Sequence, residues 1–290
     1  MSWRTVIISH RAKLDLCLGQ MVVRGEETVK VNLSELAVVM VESTAVSLTA
    51  ALLCELSQRK VKVIFCDTKR NPQAELIPCS GSHDTSAKIR RQASWGQLSK
   101  ETVWTEIVRE KITKQADLLH KLGLPQEQLL RGYLQELELA DASNREGHAA
   151  KVYFNALFGL GFSRSQENPL NAALNYGYSI LLSAFNREIV AQGYITQIGL
   201  FHDNMFNSFN LGCDLMEPFR PLVDEVVLEL QPEEFGREEK MLLVDILNHE
   251  VQMEGRKQVV LNAISIYCQS VFTALDENDL SVLRFYRNEL

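Results

Sequence analysis

The sequence predicts an α+β protein: a β-rich N-terminal domain over residues 1–75, a linker over 76–93 and a larger all-helical domain over 94–290. Three observations carry this. Short β-branched or alternating runs separated by turn residues fill the chain as far as Cys66. Pro72, Pro78, Ser80-Gly81-Ser82 and His83-Asp84 then form a breaker-rich stretch. From Ser94 onward apolar residues recur at helical spacing and the strand signal disappears.

In chain order, Arg4–Ser9 is β-branched and apolar. Leu14-Asp15-Leu16-Cys17-Leu18 alternates at period two, and Gly19-Gln20 turns it into Met21-Val22-Val23-Arg24. Gly25-Glu26-Glu27 turns again into Thr28-Val29-Lys30-Val31, and Val38–Val41 reads as a short buried strand. Leu48, Leu52, Leu53 and Leu56 place one helix over Leu48–Ser57, and Val61–Cys66 returns to strand. The helical half is predicted as Ser94–Gly123, Gln126–Leu139, Ser143–Gly159, Pro169–Gly193, Gly236–Glu254, Lys257–Leu275 and Leu280–Glu289. Asn168-Pro169 supplies a cap and a first-turn proline to the longest of them.

With 290 residues, 46% of them hydrophobic, the chain has material for about two domains and a substantial core. No run reaches the roughly 18 apolar residues of a membrane span, and Val6-Ile7-Ile8 is too short for a signal-peptide core. A cytoplasmic protein without membrane contact is expected. The six cysteines form no Cys-x-x-Cys pair and mostly lie among apolar neighbours, which predicts buried reduced thiols. A net charge of −7 argues against a simple nucleic-acid binder. The charge is uneven, however: Arg59 to Lys114 holds twelve basic and six acidic residues, whereas Glu233, Glu234, Glu238 and Glu239 crowd the segment from Asp224 to Glu254. Two ordinary solvated surfaces explain this as well as a DNA-facing one does.

Phosphate-loop and nucleophile-elbow motifs are absent, and the Ser-Gly-Ser and His83-Asp84 stretch reads as linker rather than hydrolase site. Three residues stand in unusual settings instead: Glu146 at the start of an apolar helix, His202 between glycine-bounded segments, and Glu217 wedged among hydrophobes and prolines. Two carboxylates and an imidazole suit Mg²⁺ or Mn²⁺ better than Zn²⁺. Each residue also has an ordinary reading. Ser143-x-x-Glu146 is a capping box. His202, beside Phe201, Phe206 and Phe209, fits a satisfied core histidine. Glu217 before Pro218 fits dipole compensation at a helix start. His148, two residues past Glu146, faces away from it and reads as structural; Asn171 and Tyr176 lie on the long helix without further support.

Ser143-Asn144-Arg145-Glu146-Gly147-His148-Ala149-Ala150, Gly199-Leu200-Phe201-His202 and Asp214-Leu215-Met216-Glu217-Pro218-Phe219-Arg220-Pro221 together resemble the active-site strings of the CRISPR spacer-acquisition integrases, the Cas-one family. Ser2-Trp3-Arg4-Thr5-Val6 and Val63-Ile64-Phe65-Cys66-Asp67 resemble its type II branch, so the resemblance covers nearly the whole chain. It implies the same two-domain layout. It makes Glu146, His202 and Glu217 ligands of Mg²⁺ or Mn²⁺, with Asp214 as an auxiliary carboxylate behind them and no covalent protein nucleophile. The implied reaction is transesterification, in which the 3′-OH of spacer DNA attacks a phosphodiester at the leader–repeat boundary. The implied partners are double-stranded DNA (spacer precursor and leader–repeat), a second copy of the chain, a dimer of the small Cas-two protein, the type II effector nuclease and a ring-forming DNA-end protein. Lys69, Arg70, Arg90, Arg91, Arg145 and Arg220 are the candidate phosphate contacts. A stand-alone metal-dependent DNA nuclease would need the same ligands, and a non-enzymatic helical scaffold would need none.

Overall fold

The computed structural model describes residues 4–68, 70–78 and 82–287. Two compact units emerge: Met1–Thr85 with Val190–Gly193, and Ser86–Ile189 with Tyr194–Leu290.

The first unit contains β1 (Arg4–Ile8), β2 (Ala12–Cys17), β3 (Gln20–Arg24), β4 (Thr28–Asn32), β5 (Leu36–Val41), β6 (Val46–Leu48), helix α1 (Ala50–Gln58), β7 (Lys62–Cys66) and β8 (Pro72–Leu76). One sheet has the order β1-β5-β7-β8, the other β4-β3-β2-β6. β5 pairs in parallel with both β1 and β7. All six of its residues are buried, as expected of a parallel strand covered on both faces. The β2–β3 hairpin turns through Leu18 and Gly19 with φ of 48° and 74°, the positive values that a tight two-residue connection demands. Leu14, Met21, Val31, Leu36, Val39, Leu52, Leu56 and Val63 form the shared core. Cys66 is buried there, but Cys17 and Cys54 are exposed, contrary to the buried-thiol expectation. The alternation of β2 turns Cys17 outward, and Cys54 lies on the outer face of α1.

The second unit is built on α2 (Thr85–Ala93), α3 (Gln97–Lys121), α4 (Glu127–Gln135), α5 (Arg145–Phe158), α6 (Pro169–Ala191), α7 (Asn210–Leu215), α8 (Arg220–Leu230), α9 (Arg237–Asp245) and α10 (Val260–Glu277). The stretch read as linker thus ends in a helix, α2. The Asn168-Pro169 start of α6 is present, with Asn168 Oδ1 accepting from the Asn171 amide at 2.8 Å. α3 is the axis: it packs against α4, α5 and α8 and buries Trp104, Ile107, Val108, Lys111, Ile112 and Lys114.

Three predicted helices differ from the structure: the first two are shortened and the third is replaced. Inside Gly236–Glu254 and at the start of Lys257–Leu275 the chain forms a hairpin, β9 (Glu250–Met253) and β10 (Arg256–Val259). Glu254 and Gly255 turn it with φ of 51° and 74°. The predicted helix Leu280–Glu289 is, over its described part, a 3-10 turn at Leu280–Val282 followed by an extended strap. Asn278, in the left-handed region, closes α10. The strap then gains more from tertiary partners than from helical bonds: Tyr286 is fully buried, its carbonyl accepts from Lys114 Nζ at 2.5 Å, and Arg287 exchanges backbone hydrogen bonds with Gln252.

Candidate metal centre

Four segments remote in sequence bring the site together. α3 contributes Lys111, the first turn of α5 Glu146, the loop after Tyr194 His202, and the turn between α7 and α8 Glu217. Lys111 Nζ lies 2.5 Å from Glu146 Oε1 and 2.5 Å from Glu217 Oε2, so one buried ammonium bridges the two carboxylates. Arg220 Nη2 holds the other Glu217 oxygen at 3.0 Å. The Glu217 side chain is 4% exposed and that of Glu146 is 26% exposed, which makes one wall dry and the other accessible.

The capping-box alternative for Glu146 does not form. The residue before α5, Asn144, is left-handed and makes no side-chain cap. Ser143 Oγ bonds the Glu136 carbonyl instead. The amides of Arg145 and Glu146 are capped by Asp141, through Oδ1 at 2.7 Å and Oδ2 at 3.0 Å. The Glu146 carboxylate is thereby released from capping duty.

Asp214 organises the His202 loop. It has no exposed side-chain surface. Its Oδ2 accepts from the amides of Leu200 (2.6 Å) and Phe201 (3.2 Å), and its Oδ1 from the His202 amide (3.1 Å) and His202 Nδ1 (2.6 Å). A carboxylate only accepts, so Nδ1 carries the proton and the Nε2 lone pair is left available. Gly199 is required here, because a Cβ would collide with the His202 carbonyl and the Asp214 carboxylate. Trp104 of α3 stacks on Phe201 at 4.7 Å and meets His202 edge-on at 5.9 Å, bracing the loop. Phe206 and Met205, at 90% and 86% exposed, lie outside any core, unlike the core reading of this aromatic cluster.

The electrostatics tie His202 to both carboxylates. The hydrogen bond to Asp214 raises the imidazole pKa above its usual value; partial burial opposes this, and the charges of Asp214, Glu217 and Glu146 add to it. Burial pushes the Glu217 carboxyl up, but Lys111 and Arg220 outweigh it and the net shift is downward. Burial likewise disfavours the Lys111 ammonium, and Glu217 and Glu146 more than restore it. Behind Arg220, whose guanidinium sits 4.7 Å from the Tyr178 ring, Tyr178 and Tyr153 donate to fully buried Asp224. Burial raises the Asp224 carboxyl to about 6, against the lowering by those two hydroxyls.

The donors match a hard divalent cation in type: two carboxylates, one of them with a buried oxygen, Glu217 Oε2, that lacks a well-directed hydrogen bond, and an imidazole with Nε2 free. Among the described residues no three His, Cys, Asp or Glu side chains are grouped closely enough to hold a metal ion, and the Lys111 ammonium stands between Glu146 and Glu217. Sequence reasoning missed Lys111, Trp104, Asp141 and Asp224. The available signal for Lys111 was its place on the apolar stripe of α3, in register with Trp104, Ile107 and Val108.

The candidate phosphate contacts are scattered. Lys69 lies outside the described residues. Arg70 faces Glu42 at 3.5 Å, Arg91 pairs with Asp276 at 2.7 Å and Arg145 with Glu136 at 3.2 Å, and Arg220 belongs to the Glu217 cluster. Arg90 is exposed and pairs with no acid among the described residues.

The chain thus combines a strand-rich unit, a helical unit and, within the helical unit, a carboxylate–imidazole cluster at the start of α5. The family model described as "CRISPR associated protein Cas1" matches residues 5–258, a stretch that includes Glu146, His202, Asp214 and Glu217. A "CRISPR-associated endonuclease Cas1" of Neisseria meningitidis serogroup C (strain 8013) is 31% identical over 291 residues, covering 98% of this chain and 96% of that one. The chain belongs to the CRISPR-associated Cas1 family. Its fold is also that of a casposase bound to an integration product, with a TM-score of 0.78 at 16% identity over 96% of this chain and 92% of that one. It is likewise that of a chain in a partial Cas6-RT-Cas1–Cas2 complex, with a TM-score of 0.69 at 16% identity over the full length of both. No helix among the described residues is long and apolar enough to cross a membrane.

Proposed function

We propose that this chain is the DNA integrase of CRISPR adaptation, acting with Mg²⁺ or Mn²⁺ held by Glu146, His202 and Glu217. The observation that carries the reading is the convergence of Glu146 and Glu217 on one cation, beside an imidazole whose Nε2 is kept free by Asp214. When bound, such a metal polarises the attacked phosphodiester and favours the deprotonated 3′-OH of the incoming spacer DNA. The chain's own residues prepare this. Asp214 holds the proton on Nδ1 of His202, Arg220 fixes one oxygen of Glu217, and Asp141 frees Glu146 from the helix cap. The chemistry needs no covalent protein nucleophile, because the 3′-OH itself attacks. A casposase with this fold was captured on an integration product, and a chain with this fold assembles in a Cas1–Cas2 complex. By family likeness the working unit is a homodimer with a Cas-two dimer on double-stranded DNA. The type II strings add the effector nuclease and the ring-forming DNA-end protein.

The test is joining of labelled spacer DNA to a supercoiled plasmid carrying a leader–repeat, with the small partner and Mg²⁺ or Mn²⁺. Glu146→Ala and His202→Ala should abolish joined product while DNA binding persists, and DNA lacking a 3′-OH should not be joined. Wild-type-like joining by either variant removes that residue from the site. Cutting without joining, with or without the small partner, identifies a stand-alone nuclease.

A further inference from the structure

Lys111 belongs to none of the sequence strings that mark this family's site, yet it occupies the centre of the cluster. A lysine on the apolar stripe of a long helix normally extends its ammonium to water. Here the side chain is 9% exposed, and its Nζ is shared at 2.5 Å between Glu146 and Glu217. Glu217 Oε2 is buried and receives from Lys111 a charge but no well-directed hydrogen bond. The other Glu217 oxygen is already committed to Arg220 at 3.0 Å. The gap between Glu146 Oε1 and Glu217 Oε2, where a cation bridging the two carboxylates would sit, is therefore the place Lys111 now holds. A metal bonded at roughly 2.0–2.6 Å to both of these oxygens would take the position between them that the ammonium nitrogen fills at 2.5 Å from each.

We infer that Lys111 is a built-in competitor for the divalent cation: its ammonium fills the gap between Glu146 and Glu217 in the metal-free protein and must withdraw for metal to enter. This inference rests on the ligand assignment proposed above. Its physical logic is that two carboxylates facing one another, one of them buried, repel unless a positive charge lies between them. Lys111 supplies that charge while the protein is metal-free, keeping the carboxylates folded inward and pre-aimed. The cost is a weaker hold on metal, because each binding event first breaks two ion pairs. The same competition discriminates among cations: a monovalent ion gains too little to displace an ammonium, whereas a divalent ion brings twice the charge to the same oxygens.

The test is Mn²⁺ binding by the full chain without DNA, followed by the loss of free-Mn²⁺ electron paramagnetic resonance signal and by the metal-induced rise in Tm. Lys111→Met removes the competitor and nearly preserves the volume. It should bind Mn²⁺ at least about tenfold more tightly than wild type, melt lower without metal and show the larger metal-induced rise. Lys111→Arg, with a forked guanidinium that grips both carboxylates, should fold normally and bind Mn²⁺ more weakly, and it keeps the inference open to refutation if the methionine variant does not fold. A residue with a merely structural role would move affinity the other way, since its loss would loosen the site. If wild type binds Mn²⁺ in a Glu146- and His202-dependent way and neither Lys111 variant shifts its Kd, or the methionine variant weakens it, the inference is overturned and the ligand assignment stands. If wild type and both variants bind no Mn²⁺ at all, the ligand assignment falls and this inference falls with it.

Discussion

Asp214→Asn changes one atom of the buried carboxylate that shapes the His202 loop, and the structure limits what the asparagine can do. Four N–H groups converge on Asp214, two on each oxygen, and an amide nitrogen accepts none of them. If the nitrogen takes the Oδ2 position, the amides of Leu200 and Phe201 both lose their acceptor, at about 1–3 kcal/mol each. If it takes the Oδ1 position, only the His202 amide is orphaned, at about 1–3 kcal/mol, because the imidazole can move its proton to Nε2 and accept at Nδ1. The second orientation is the cheaper, so the expected loss of stability is about 1–3 kcal/mol together with a switch of tautomer. The Nε2 lone pair is then gone, and removing such a partner costs about 10–100-fold in metal affinity. Urea unfolding gives the stability change. The ¹⁵N shifts of the His202 ring, assigned by comparison with His202→Ala and recorded well above its raised pKa, give the tautomer. A variant as stable as wild type with the proton still on Nδ1 would refute the claim that Asp214 sets the imidazole.

Asp224 makes stability pH-dependent with a defined sign. Its carboxyl is raised from 3.8 to about 6 by burial, so between these values the folded state binds more protons than the unfolded one and stability falls as pH rises. Two units correspond to about 3 kcal/mol; Asp224→Asn should flatten the slope between those values in pH-dependent urea melts, and an unchanged slope would assign the dependence elsewhere. Exposed Arg90 is the best phosphate candidate, and Arg90→Glu should weaken DNA binding and flatten the log–log salt dependence by about 0.9 for each phosphate no longer neutralised; an unchanged slope places DNA on another face. The N-terminal sheets leave edges at β1, β4, β6 and β8, and exposed edges are usually covered. A chain starting at Ser86, checked for helicity by circular dichroism, should therefore run as a monomer in light scattering, whereas a tight dimer would move the homodimer interface to the helical unit.

The sequence by itself determined the order of strand-rich and helical regions, most element positions and the family, because these depend on local periodicity and on short strings. The Asn168-Pro169 start of α6 and the Gly19 hairpin were legible for that reason. The strings also pointed at Glu146, His202, Asp214 and Glu217 as residues of interest, but spacing along a chain says nothing of what lies opposite. Tertiary structure alone decided that Asp141, not Ser143, caps α5, and that Asp214 faces His202 Nδ1. It also decided that Leu283–Tyr286 is an extended strap: local propensity favoured helix there, and a buried Tyr286 with its carbonyl on Lys114 outweighed it. Lys111 is the clearest case. On paper it is one more basic residue in a positive stretch. In the fold it is the counter-charge of the site, because helix packing brings residues 35 and 106 positions further along the chain to within 2.5 Å of its ammonium, and a buried charge takes whatever partner the fold supplies.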